Sequence, residues 1–158
     1  DGALYACQND DAKQRRSKRA VWGMAAILTV AVAAGGCIPA PGMQNCFYVL
    51  LPYLGEFLGA ASVIWALAKL GMDWGTVREY NYKKSVAVLP VRTAVTAVFS
   101  GLGIVCELIF FFVNDHAGQT FFALLYVLLK LTALLSVLVL RAEIMQAEWD
   151  KLPKKNNF

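Results

Sequence analysis

Four long apolar runs constrain this chain more than any other feature of its sequence. They cover residues 20–38, 47–70, 86–113 and 120–140, and an α-helix needs about 20 such residues to cross the hydrocarbon core of a bilayer. Hydrophobic residues make up 58% of the chain and charged residues 16%, whereas a typical soluble domain has about 25% charged residues. The pattern predicts an all-α membrane protein. Because the runs use most of the chain, we expect one four-span domain over residues 1–158.

The basic residues predict how the four spans are oriented. Thirteen of the fifteen Lys and Arg residues lie before the first run, at or between the second and third runs, or after the fourth. The connections at residues 35–46 and 114–119 contain none. The positive-inside rule therefore predicts an up-down four-helix bundle with both termini and the loop 71–85 in the cytoplasm. We expect a plasma membrane or a bacterial inner membrane.

The formal net charge of +4 comes from the same basic residues beside the spans. Basic residues beside the spans are attracted to anionic headgroups, so the lipid bilayer is the partner that this charge predicts. It does not indicate a nucleic-acid partner. The loop 71–85 mixes lysines with Trp74, Tyr80 and Tyr82, and we interpret it as an interfacial loop with its aromatic rings at headgroup level, not as a ligand site.

The third run carries a stripe of small and polar residues. At about 100° per residue, five of them fall inside an arc of about 80°: Arg92, Thr96, Ser100, Gly103 and Glu107. A helix in a bilayer turns such a stripe toward other helices or toward water, because a charge facing hydrocarbon is costly. We predict that the stripe faces the inside of the bundle, with Arg92 reaching toward the cytoplasmic headgroups.

Ionisable residues also lie inside the second and fourth runs, at Glu56 and Lys130. Counted from the outer boundary at about 1.5 Å per residue, Glu56 is about 14 Å deep, Lys130 about 15 Å and Glu107 about 9 Å. The three side chains are therefore predicted to meet in one layer. One lysine cannot neutralise two carboxylates, so the surplus acid is expected to hold a proton or to bind a cation.

Two interpretations of this layer remain open. It is either a neutralising network that fixes the register of the helices or a proton- or ion-handling site. The leading prediction is a non-enzymatic protein of transporter or channel type that forms a homo-oligomer, since four helices enclose little space. Its site would be lined by Glu56, Glu107, Lys130, Thr96, Ser100 and Arg92. The alternative is a non-transporting accessory subunit or assembly factor of a larger membrane complex.

The four cysteines are Cys7, Cys37, Cys46 and Cys106. Cys37 and Cys46 lie in one predicted outer loop that is rich in Pro and Gly, on the side of the membrane where disulfides persist. We therefore predict a disulfide between them, which would stabilise by limiting the freedom of the loop. A thiol-redox membrane protein is the third functional alternative, although the chain has no Cys-x-x-Cys pair, which would favour it.

Two glycines in the second run, Gly55 and Gly59, have the small-xxx-small spacing of close helix contacts, either inside the bundle or between two copies. Outside the runs the patterns are weaker. Residues 3–19 contain no strong breaker and are expected to extend the first helix or to lie on the headgroups. The helical pattern of the fourth run continues to Glu148.

Motifs of enzymes and metal sites do not occur in this sequence. It has no Gly-rich phosphate loop, no Gly-x-Ser-x-Gly and no His-Glu-x-x-His. His116 is the single histidine, which excludes haem ligation by paired histidines and leaves no recognisable zinc spacing. We predict no catalytic residue, no metal and no cofactor.

Overall fold

The computed structural model describes residues 3–71, 74–114 and 119–152, and this part of the chain is mostly helical. Its helices are α1 (Asp11–Cys37), α2 (Pro41–Asn45), α3 (Phe47–Leu70), α4 (Glu79–Lys84), α5 (Leu89–Val113) and α6 (Thr120–Gln146). Its short strands are β1 (Leu4–Cys7), β2 (Val77–Arg78) and β3 (Trp149–Lys151).

Four helical segments in the described residues are long and apolar enough to cross a membrane, as the sequence predicts. They are α1, α3, α6 and the segment Glu79–Val113, which contains both α4 and α5. Helix α3 coincides with the second apolar run, whereas α1 begins at Asp11 and therefore includes the basic residues that precede the first run. Helix α5 begins at Leu89 with Pro90 in its first turn, where the missing N–H of proline costs no hydrogen bond.

The long helices pack in a ring. Helix α1 packs against α6, α6 against α5 and α5 against α3, while α1 and α3 make a looser contact that closes the ring. Along α3 and α5 the contacting residues occur in opposite order. Gly55 packs against Phe99, and Gly59, which is later on α3, packs against Thr96, which is earlier on α5. The two glycines therefore act inside one chain, since they let these helices approach closely.

Burial in this bundle is reversed relative to a soluble protein. Large apolar side chains on its outside are exposed, such as Leu58 at 67% and Phe112 at 81%. In contrast, Glu56 and Glu107 are 0% exposed and Lys130 is 2% exposed. Soluble proteins almost never bury these charged residues fully, whereas helices in lipid turn them inward.

A small antiparallel sheet covers one end of the bundle, with the strand order β2-β1-β3. Tyr5 in the central strand pairs with Val77 on one side and Lys151 on the other. The sheet thus joins the segment before α1, the connection between α3 and α5, and the segment after α6. The prediction that residues 3–19 extend the first helix holds for residues 11–19, which lie in α1, whereas residues 4–7 form β1 instead. The last helix ends at Gln146 and, contrary to the prediction, does not reach Glu148. Strands of two to four residues form here because their partners are brought together by the helices.

The aromatic residues of the loop 71–85 have different environments. Trp74 is buried and lies 6.1 Å from the ring of Trp149, measured between centroids. Tyr82 stacks on Tyr5 at a centroid distance of 4.2 Å. Only Tyr80 among the three is exposed, whereas Trp74 and Tyr82 pack against rings of the short strands. The position of these rings at headgroup level stays a prediction.

All four cysteines lie in described parts of the chain, and each is a free thiol. The predicted Cys37–Cys46 disulfide is therefore not formed in this structure. The segment between them is not an irregular loop, because α2 occupies most of it and packs against α3 and α5. Pro41 and Gly42 are buried. The connection is held by these noncovalent contacts, with Cys37 ending α1 and Cys46 preceding α3.

Candidate buried-charge site

An ion pair between Glu56 and Lys130 lies at the centre of the bundle. The Lys130 Nζ donates a hydrogen bond to Glu56 Oε2, which joins α6 to α3 across the interior. Both side chains are buried among the helices. The sequence prediction that these two residues share a layer agrees with this contact. As a pair they are neutral, so together they avoid the cost of a single buried charge.

Two tyrosine rings flank the ammonium group of Lys130. Its Nζ lies 4.5 Å from the ring centroid of Tyr53 and 5.2 Å from that of Tyr126. A desolvated cation–π contact contributes about 2 kcal/mol, which offsets part of the lost hydration. Neither ring was among the site residues predicted from the sequence. Their spacing is the signal, because Tyr53 is three residues before Glu56 and Tyr126 four before Lys130, on the same helix faces.

Glu107 does not join this ion pair, contrary to the predicted three-membered layer. Its Oε1 accepts a hydrogen bond from the Gly42 N–H at 3.4 Å. The carboxylate fits there because Gly42 has no Cβ, which would overlap Glu107 Oε2. Along α5, Glu107 is seven residues from Ser100, or about 10 Å, and Ser100 is level with Lys130. Lys130 is bonded to Glu56, while α2 folds over Glu107.

The remaining polar stripe of α5 faces inward, as predicted. The Ser100 hydroxyl donates to the Lys130 carbonyl at 3.2 Å, and the Thr96 hydroxyl donates to the Arg92 carbonyl at 2.8 Å. Both hydroxyls are therefore engaged with backbone. Arg92 is half-buried, and its Nη1 donates to the Ser62 carbonyl of α3 at 2.7 Å. Its guanidinium is thus fixed against α3.

We call Glu107, Tyr126, Glu56, Lys130 and Ser100 the polar column. Three of its buried atoms have no hydrogen-bond partner among the described residues: Glu56 Oε1, Glu107 Oε2 and the Tyr126 hydroxyl. Each unmade hydrogen bond of a buried group costs about 1–3 kcal/mol. A proton on a carboxylate or a small cation beside it would remove part of this cost. These three atoms are therefore the acceptor and hydroxyl groups of the column that the described side chains and backbone leave unpaired.

The described residues contain no group of three or more His, Cys, Asp or Glu side chains that could hold a metal ion. His116 lies outside the described residues. Comparisons with models of protein families, with curated proteins and with solved structures gave no match for this chain. The distances, burial and charges of the site therefore carry the functional proposal.

Proposed function

We propose that this chain is a small membrane protein of transporter or channel type whose polar column handles a proton or a small cation. One observation supports this above others. A neutral Glu56–Lys130 pair is accompanied by a second carboxylate, Glu107, that is fully buried and has no ion-pair partner in the described part of the chain. A pair that only fixes helix register needs no second acid, whereas ionisable groups inside membranes commonly mark ion pathways.

The order of groups along the column suits stepwise proton movement. Glu107 lies toward one end of the bundle, and Tyr126 is one turn from Lys130 in the direction of that same end. Protonation of Glu56 would remove the negative charge that holds the Lys130 ammonium group. A proton that entered at Glu107 would change the central pair once it was transferred from the Glu107 carboxyl group to the Glu56 carboxylate.

A matched set of carboxylate variants tests this proposal. We expect reconstituted wild-type protein to dissipate a pH gradient, reported by a pH-sensitive dye inside liposomes. Glu107→Gln should fold normally and lose this flux, because an amide cannot exchange the proton. Glu148→Gln makes the same change at an exposed position and should behave like wild type. Wild-type flux that survives in Glu107→Gln would contradict the role of Glu107.

We also propose that the four long helices cross the membrane in up-down order, with both termini and residues 71–85 in the cytoplasm. The opposite residue order of the helix contacts supports this arrangement. The sheet supports it too, because it joins the segments that carry most of the basic residues at one end of the bundle. The positive-inside rule assigns that end to the cytoplasm of a plasma or bacterial inner membrane.

Single-cysteine labelling tests this orientation. The Lys83→Cys substitution is made in a variant whose four native cysteines are replaced by serine. Its thiol should react with an impermeant maleimide only after the cells are opened. A cysteine at Gln44, which is exposed on α2, is the matched position for the opposite side and should react on intact cells. Reaction at position 83 from outside would reverse the topology.

A second candidate function, an accessory subunit of a larger membrane complex, is favoured by the loose contact between α1 and α3. An apolar cavity of about 170 Å³ lies there. Four of its seven lining residues are small, namely Thr29, Ala33, Ala60 and Ala61, and the other three are Val32, Phe57 and Ile64. Small residues let a further helix approach closely. The occupant would be a partner helix or a second copy of this chain. Absence of flux together with a stable larger assembly on native electrophoresis would favour this candidate.

The thiol-redox alternative receives no comparable support. Its four free thiols are distributed over β1, the end of α1, the residue before α3 and the second half of α5.

A further inference from the structure

A basic cavity lies where the end of α3, the short helix α4 and the start of α5 meet. Its volume is about 410 Å³. The lining includes four cationic residues, Lys69, Lys83, Lys84 and Arg92, and two aromatic residues, Trp65 and Tyr80. The cavity is separate from the polar column, and an inference about it does not depend on the proposed transport function.

The positive charge of this cavity is only partly neutralised. Lys83 pairs with Glu79 at 2.8 Å. The other three cations have no acidic partner within the described ranges. Like charges gathered in one cavity repel each other, and a bound anion would relieve this repulsion. The cavity is therefore complementary to a compact group with negative charge.

Several contacts hold the donor groups in place before any ligand binds. The bond from Arg92 Nη1 to the Ser62 carbonyl fixes the guanidinium while its other N–H groups stay available. Lys84 Nζ donates to the Tyr80 hydroxyl at 2.6 Å and lies 4.2 Å from its ring centroid. Lys69 Nζ lies 5.2 Å from the ring centroid of Trp65. Because Tyr80 accepts from Lys84, its own O–H remains free to donate.

We propose that this cavity binds the phosphate group of an anionic glycerophospholipid. Guanidinium and ammonium groups match phosphate oxygens in charge and geometry, and basic pockets beside membrane helices recognise lipid headgroups. The lipid is favoured over a soluble phosphate ester because exposed apolar side chains lie further along the same two helices, α3 and α5. Leu58 lies seven residues before Trp65 on the same face of α3, and Val95 lies three residues after Arg92 on α5. Both are exposed and would contact the acyl chains.

Lipid retention by the purified full-length protein tests this proposal. Native mass spectrometry would compare phosphatidylglycerol with phosphatidylcholine of the same acyl chains. Wild type should retain phosphatidylglycerol preferentially. The double variant Lys69→Gln/Lys84→Gln should bind it about 30-fold more weakly, as expected for two lost headgroup contacts. The control Lys13→Gln/Lys18→Gln removes the same charge from the start of α1, outside the cavity, and should weaken retention of phosphatidylglycerol much less than the cavity variant does.

Three outcomes would overturn the proposal: equal retention of both lipids by wild type, an equal loss in the two double variants, or binding of glycerol phosphate in place of the lipid. The third would assign the site to soluble phosphate esters.

If the Lys69→Gln/Lys84→Gln protein does not fold, tryptophan fluorescence decides. Brominated phosphatidylglycerol should quench wild type more than brominated phosphatidylcholine does, and this difference should disappear in Trp65→Phe. Equal quenching by the two lipids in wild type would contradict the site.

Discussion

Replacement of Lys130 by methionine is expected to destabilise the protein by about 3–5 kcal/mol, the value typical when one partner of a buried ion pair is removed. The substitution leaves the Glu56 carboxylate fully buried without its cation. It also removes the contacts of the ammonium group with the rings of Tyr53 and Tyr126. Chemical unfolding in detergent micelles, followed by circular dichroism, measures the change.

Companion variants separate the ion pair from packing. Lys130→Arg keeps a cation and should be milder. The double variant Glu56→Gln/Lys130→Met should recover much of the loss, because no lone charge remains buried. Lys13→Met removes an exposed lysine and should change stability by no more than about 0.5 kcal/mol. If Lys130→Met is as stable as wild type, the Glu56–Lys130 bond does not contribute to the folded state.

Glu107→Gln should be gentler than Lys130→Met, because Glu107 has no ion-pair partner among the described residues. Its Oε1 accepts one long hydrogen bond from Gly42, which the side-chain oxygen of glutamine can also accept. The two substitutions thus distinguish the acid that is paired from the acid that is not. A register network alone predicts stability changes without any change in flux.

The four long helices and the central ion pair could be predicted from the sequence for the same reason. The bilayer sets the length of a span, so an apolar run of that length is a strong signal. Depth along a straight helix is proportional to residue number. Counting therefore placed Glu56 and Lys130 at nearly the same depth, and the structure joins them.

The partner of Glu107 could not be predicted in this way. It is the backbone of Gly42, on a helix of five residues. The prolines around that helix indicated an irregular loop, and its position depends on packing against α3 and α5. The depth count also placed Glu107 only about 5 Å from the other two residues, a distance that long side chains can span. Counting residues along the helices does not show how the connection between α1 and α3 folds. It therefore does not show that Gly42 in this connection binds the carboxylate of Glu107.

The sheet and the basic cavity were missed because they combine distant segments. Tyr5 pairs with residues more than seventy positions away on one side and more than one hundred and forty on the other. Strands this short have no hydrophobic period of their own. The lysines and rings of the loop 71–85 were visible, but Trp65 and Arg92 join them only when α3 and α5 pack together.

Replacement of Gly59 by leucine is expected to destabilise the bundle by about 3 kcal/mol, the upper end of the usual cost of overpacking. A Cβ at position 59 would lie 2.6 Å from Thr96 Oγ1 and 3.3 Å from Thr96 Cα. Rotation of the Thr96 side chain would relieve only the first contact, and the backbone contact requires α3 and α5 to move apart by a few tenths of an ångström. The remaining atoms of the leucine side chain need further room between the two helices. That movement would also disturb Glu56, one turn along α3.

Gly101→Leu is the matched control on α5. A Cβ at position 101 would meet nothing within 4 Å, so leucine fits there without moving a neighbour. Since glycine weakens a helix interior by about 1 kcal/mol relative to alanine, this variant should be as stable as wild type or slightly more stable. Thermal unfolding of both variants in the same detergent provides the comparison. If Gly59→Leu unfolds no earlier than Gly101→Leu, α3 and α5 are not in close contact at Thr96, and the helix register that sets the depth of Glu56 would be wrong.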